Sequence, residues 1–107
     1  MKRGDLVTAV VSGDYGKPRP ALIIQSDNFE TVSVTLLLIS STLQPADLAR
    51  IDVNPSPDNG LRQPSQIMID RLMTIPRTRV GSVIGRLDAL TMEMVEHRIL
   101  TFLGLYR

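Results

Sequence analysis

The chain of 107 residues has no cysteine, one histidine (His97) and a formal charge of +1. That excludes disulfides, thiolate nucleophiles, Cys-based zinc sites, a catalytic histidine pair within one chain and a multi-histidine metal centre. Ten of the twelve basic residues are arginine and only Lys2 and Lys17 are lysine, a bias that suits bidentate phosphate contacts and stacking on bases, although Arg-rich codon usage produces the same bias.

In chain order, Asp5–Val11 (DLVTAVV) is apolar and β-branched and predicts a strand. Ser12–Pro18, with two glycines and a proline, predicts an exposed loop. Arg19–Gln25 predicts a second strand, and Ser26–Glu30 a polar connector. Thr31–Ile39 alternates at first and then becomes continuously apolar, as a buried central strand does. Ser40–Asp47 is a loop, and Ala49–Val53 alternates in polarity like a half-buried strand. Asn54–Gly60 carries the strongest turn signal in the chain. Ser65–Ile69 and Arg71–Ile75 predict two short strands or one bent strand, broken at Pro76. Val80–Leu87 holds a last short strand. Asp88 is a good N-cap for a terminal amphipathic helix running on toward Tyr106. Along it Leu90 and Met94, with His97, mark one side, and Val95, Ile99, Phe102 and Leu103 recur at helical spacing on an adjacent face.

The sum is one domain, residues 1–107, mainly β, of about six or seven strands with a C-terminal helix. Such a pattern suits a small, strongly bent sheet or barrel covered by the helix. No apolar signal core follows Met1–Asp5, and runs such as Leu36–Ile39 are too short to span a bilayer. A cytoplasmic protein without membrane association is the expectation.

Four segments could carry chemistry. In Gly16-Lys17-Pro18-Arg19-Pro20, Pro20 holds Arg19 extended where a loop enters a strand. A guanidinium placed there can hold a phosphate and stabilise charge developing on it, or be a strand-edge arginine flanked by prolines that discourage aggregation. Ser40-Ser41-Thr42 places hydroxyls just past a central strand, for a ligand at the sheet rim or for capping free backbone groups. Asp70-Arg71 can exchange protons and orient a cation, or form a surface ion pair of little weight. Arg77-Thr78-Arg79 suits a phosphate backbone or a solvated turn. His97 reads as structural or solvated on the helix. Phosphate-binding glycine loops, a nucleophile elbow and a carboxylate cluster for magnesium are missing.

The order of these segments is more specific than any one of them. Arg3-Gly4-Asp5 before a first strand, Arg19-Pro20 opening the second, TLLLISST closing on Thr42, and IMIDRLMTIPRTRVG with Asp70 ahead of Thr74-Ile75 resemble the MazF/PemK toxins along essentially the whole chain. The resemblance implies an SH3-like, CcdB/PemK-type barrel. It also implies the toxin of a type II toxin–antitoxin system, a ribosome-independent, sequence-specific endoribonuclease for single-stranded RNA. The family reaction is metal-independent attack of a ribose 2′-OH on the adjacent phosphate, giving a 2′,3′-cyclic phosphate and a 5′-OH end. By resemblance Arg19 and Thr42 are catalytic and Asp70 is a proton-transferring or orienting carboxylate. Lys17, Ser41, Gln44, Arg71, Arg77 and Arg79 become RNA contacts. No cofactor or metal is implied. The implied partners are RNA, a second copy of the chain as a homodimer, and a cognate antitoxin with an acidic, partly disordered segment.

Two features depart from the family pattern. The Ser12–Pro18 loop is shorter than in many members, and Met68 stands where some relatives have an arginine two residues before the acid. Two other readings compete. A CcdB-like gyrase inhibitor shares the barrel but needs a C-terminal Trp-Gly, and this chain has no tryptophan. A non-catalytic nucleic-acid-binding barrel would want an aromatic platform, and only Tyr15, Phe29, Phe102 and Tyr106 are aromatic.

Overall fold

Short β-branched and apolar segments separated by glycine- and proline-rich turns fold here into one sheet. The computed structural model describes residues 1–13, 15–45 and 47–105. Its strands are β1 (Asp5–Ala9), β2 (Arg19–Ile23), β3 (Ser33–Ser40), β4 (Arg50–Val53), β5 (Ser65–Pro76) and β6 (Val80–Arg86), followed by α1 (Ala89–Phe102). They pair antiparallel in the order β4-β5-β3-β2-β1-β6.

Both faces of the sheet are covered, which accounts for the continuous apolar run in β3. Leu37 and Ile39 join Leu6, Leu22, Ile51 and Ile67 in one core, which Met92 and Val95 of α1 close. Leu36 and Leu38 face the other way, into a second core with Val7, Ala9, Ala21, Ile23 and Ile75. Alternate residues of one strand thus serve opposite cores, as a pleat of period two requires.

The expected barrel is not closed by strand pairing: β4 and β6 are the two edges of the sheet. A loop spans the gap. The carbonyl of Asp58 accepts a hydrogen bond from the Arg86 amide at 2.7 Å. Inside the loop Asn59 is buried; its side-chain oxygen accepts from Ser56 N (3.1 Å) and Leu61 N (2.9 Å), and its amide donates to Asn54 O (2.9 Å). Contact with β6 is close enough that a Cβ on Gly60 would lie 1.9 Å from Ile84 O, and one on Gly85 2.2 Å from the Asn59 carbonyl carbon. The segment that reads as a turn in sequence therefore seals the fold.

The region read as two strands or one bent strand is one, with a bulge. Ile39 pairs with Ile67 and Leu37 with Leu72, so two steps along β3 face five along β5. Asp70 and Arg71 lie in this excess and are exposed. As expected, β5 stops at Pro76, and Arg77–Arg79 form a 3-10 turn.

Helix α1 begins where expected. The Asp88 carboxylate accepts from Thr91 N at 3.0 Å and from its hydroxyl at 2.9 Å. It ends earlier than the apolar spacing suggests. Gly104 takes φ +72°, and the Gly104 and Leu105 amides donate to the carbonyls of Thr101 and Leu100, the Schellman arrangement that terminates a helix. Tyr106 lies outside the described residues. The buried face is also narrower than expected. Met92 and Val95 are buried with Ile99 against them, whereas Leu90, Met94, Phe102 and Leu103 are exposed. Among the described residues no helix is long and apolar enough to cross a membrane.

Candidate functional site

Antiparallel pairing brings the start of β2 beside the end of β3. Ala21 lies opposite Leu38, so the same register carried two residues further sets Arg19 across from Ser40. On the other side of β3, Ser40 pairs with Gln66 of β5, and Gln66 pairs with Asp52 of β4. Four chain segments thus converge at one rim, around a cleft of about 370 Å³. Arg19, Ser41, Thr42, Gln44 and Arg71 all line it, together with Arg50 and Met68. The remaining expected residues lie elsewhere. Asp70 does not line the cleft, although Arg71, its neighbour on the bulge, does. Lys17 is exposed in the loop leading to β2. Arg77 lines a separate cavity between the N-terminus and the connector after β2, where its Nε donates to Thr31 O. Arg79 is exposed in the 3-10 turn.

The hydroxyl-bearing loop after β3 is held by its own backbone. Ser40 Oγ accepts from Thr42 N at 3.0 Å, and Arg50 Nη1 donates to Thr42 O at 3.1 Å. Further along, Gln44 N donates to Gln66 Oε1 (3.1 Å) and Gln44 O accepts from Gln66 Nε2 (2.9 Å). Those bonds use the backbone of Thr42, and its exposed hydroxyl accepts and donates nothing among the described residues. A side-chain donor on a fixed backbone, across a cleft from arginines, can hold a phosphoryl oxygen.

Two contributors escape the sequence reading. Arg50 looks like the outward-facing member of an alternating strand, and Gln66 like an ordinary polar strand residue. Period-two alternation does put Arg50 and Asp52 on the same side of β4. That Gln66 meets both follows only from the pairing of β4 with β5.

The Arg3-Gly4-Asp5 segment proves architectural. Gly4 N donates to Ile23 O at 2.8 Å and Gly4 O accepts from Leu87 N at 2.9 Å. Arg3 bonds Ile24 O and pairs with Glu96 of α1, and Asp5 pairs with Arg86 of β6. His97 is exposed on α1. No group of three or more His, Asp or Glu side chains suited to a metal ion occurs among the described residues.

Residues 2–103 match the family model of the PemK-like, MazF-like toxins of type II toxin–antitoxin systems. The chain belongs to that toxin family. This MazF-like toxin is 43% identical over 107 residues to the probable endoribonuclease MazF of Mycolicibacterium smegmatis, with 98% of each chain covered. It is 30% identical over 111 residues to endoribonuclease EndoA of Bacillus subtilis, covering 98% of this chain and 96% of that one. The solved structure of the Mycobacterium tuberculosis toxin MazF-mt6 superposes with a TM-score of 0.82 at 27% identity, covering 96% of this chain and 99% of that one.

Proposed function

We propose that this MazF-like toxin is a sequence-specific, ribosome-independent endoribonuclease that cuts single-stranded RNA without a metal ion. The observation that carries the reading is the convergence of Arg19 and Thr42, from the start of β2 and the end of β3, on one cleft with Ser41, Gln44 and Arg71. The name of the 43% identical relative supports the same activity.

In this reading the ribose 2′-OH gives up its proton and its oxygen bonds to the adjacent phosphorus. The bond from phosphorus to the 5′ oxygen breaks, and that oxygen takes a proton. A 2′,3′-cyclic phosphate and a 5′-OH end result. Arg19 holds the phosphate and offsets the charge gathering on its oxygens. Thr42 hydrogen-bonds a phosphoryl oxygen. Asp70 takes the 2′-OH proton or orients Arg71, which requires the RNA to leave the cleft along the β5 bulge. Ser41, Gln44 and Arg71 contact the RNA inside the cleft, and Lys17, Arg77 and Arg79 hold its backbone outside.

The antitoxin of such a system would cover Arg19 with an acidic, partly disordered segment that orders as it binds. The exposed apolar side chains of α1 and its C-cap, Leu90, Met94, Phe102 and Leu103, fit an arrangement in which two copies pair. Sedimentation at micromolar concentration reads that pairing directly, and a monomer there contradicts it.

The deciding experiment is cleavage of mixed-sequence single-stranded RNA in EDTA. Wild type should cut and leave 5′-OH ends. Arg19→Ala should lose about 10²–10³-fold in kcat, the usual loss when one donor to a developing oxyanion is removed. Absence of cutting by wild type across many RNA sequences would refute the proposal.

A further inference from the structure

The buried amide at the base of the cleft has a geometry that a merely polar strand position does not need. Gln66 is 2% exposed, and its carboxamide uses its full hydrogen-bonding capacity. Nε2 donates to Gln44 O at 2.9 Å and to Asp52 Oδ1 at 2.8 Å. Oε1 accepts from Gln44 N at 3.1 Å and from Arg50 Nη1 at 2.8 Å. The partners fix the orientation of the amide. A carbonyl and a carboxylate only accept, and a backbone N–H and a guanidinium only donate, so the group cannot be flipped.

Arg50 passes this constraint on. The same Nη1 that meets Gln66 donates to Thr42 O at 3.1 Å, and Nη2 rests on Met68 Sδ at 3.6 Å. Gln66 thus grips the loop twice, at Gln44 directly and at Thr42 through Arg50. We propose that Gln66 is a positioning residue for RNA cleavage, its buried amide setting through Arg50 the place of Thr42 in the cleft. The proposal rests on the ribonuclease reading of the cleft given above.

Glutamine meets this requirement and its nearest relatives do not. Glutamate has the same shape, but it would turn a carboxylate oxygen toward the Asp52 carboxylate and the Gln44 carbonyl, losing two donors and adding like-charge repulsion. Methionine would fill the volume and leave Gln44 N and O without partners. Gln66 and Asp52 do not line the cleft themselves, so disturbing the amide should act through the residues it holds, Arg50 and Thr42.

The test is a double-mutant cycle on RNA cleavage in EDTA, with wild type, Gln66→Glu, Thr42→Ala and the combined variant. Gln66→Glu should lower kcat about 10–100-fold with little change in KM, the scale of a displacement of about 1 Å at a reacting group. In the Thr42→Ala background it should change kcat no further, because the group it places is already gone. Adding Asp52→Asn to Gln66→Glu returns a donor to the site and should restore most of the loss. Equal losses in both backgrounds, or full activity of Gln66→Glu, would overturn the proposal.

Should Gln66→Glu fail to fold, Arg50→Gln cuts the same link at an edge strand and should show the same dependence on Thr42. Wild type that does not cut, or Thr42→Ala that cuts normally, breaks the ribonuclease reading rather than the positioning. Hydrogen exchange at the Thr42 amide then decides the positioning alone. That amide bonds Ser40 Oγ and not Gln66, so faster exchange in Gln66→Glu is the expected result and unchanged exchange the contrary one.

Discussion

Three charged residues in short motifs, Arg3, Arg19 and Asp88, have three unrelated uses, and only their neighbours distinguish them. Arg3 ties β1 to the strand end at Ile24 and to Glu96 of α1. Arg19 lines the cleft. Asp88 starts the helix, and its two hydrogen bonds from Thr91 hold its carboxyl below the ordinary carboxylate range, the backbone bond contributing most. A carboxylate whose folded pKa is depressed contributes stability above its unfolded value, and that contribution is lost as pH falls through the folded one. Asp88→Ala should therefore lower stability by about 1 kcal/mol at neutral pH, as loss of an N-cap does. The difference from wild type should begin to shrink near pH 4 and vanish in stronger acid. Urea denaturation at neutral pH and across the acid range measures it. A constant difference down to low pH would mean that the cap acts without its charge.

Among the elements, those whose reason is local could be read from the sequence. The apolar run of β3 implies two buried faces, and two cores receive it. The N-cap at Asp88 needs only its own helix. The β5 bulge, the narrow buried face of α1 and the role of Gln66 depend on what lies across the sheet, and no spacing within one segment encodes that. Of the candidate site, the strand-end places of Arg19 and Thr42 were legible from the Arg-Pro pair and the hydroxyl run, and the family resemblance singled them out, while Arg50 and Gln66 became visible only through the β4–β5 pairing. The Asn54–Gly60 segment shows the same limit, a turn in sequence and a seal between the edges of the sheet in the fold. Gly60 carries that seal at φ +71°, with Ile84 O against its missing side chain, whereas a Cβ on Gly104, at φ +72°, would meet nothing within 4 Å. Alanine at Gly104 should cost only the left-handed backbone, about 1–2 kcal/mol. Alanine at Gly60 should cost about 2–4 kcal/mol, because overpacking adds to the same backbone penalty. Comparing the two denaturation midpoints isolates the contact, and equal losses would show that the seal contributes nothing.

For the whole molecule, a formal charge of +1 cannot draw RNA in by its overall field, so binding must come from local placement of cations. Three arginines from separate strands, Arg19, Arg50 and Arg71, line the cleft, and the remaining charge is spread thinly or paired, as Arg3 and Arg86 are. Each phosphate neutralised on a single strand contributes about −0.7 to the slope of log affinity against log salt. If the cleft alone holds RNA through these three arginines, the slope should be about −2. If Lys17, Arg77 and Arg79 also hold the backbone, it should approach about −4. Fluorescence titration of Thr42→Ala, which keeps all of these charges and should bind while cutting far more slowly, distinguishes these cases across a range of salt. Arg71→Ala added to it should make the slope shallower by about 0.7. The same step on adding Arg77→Ala would extend the RNA path to the far end of β5, some distance from the chemistry. No change there would confine binding to the cleft and leave Arg77 to its bond with Thr31.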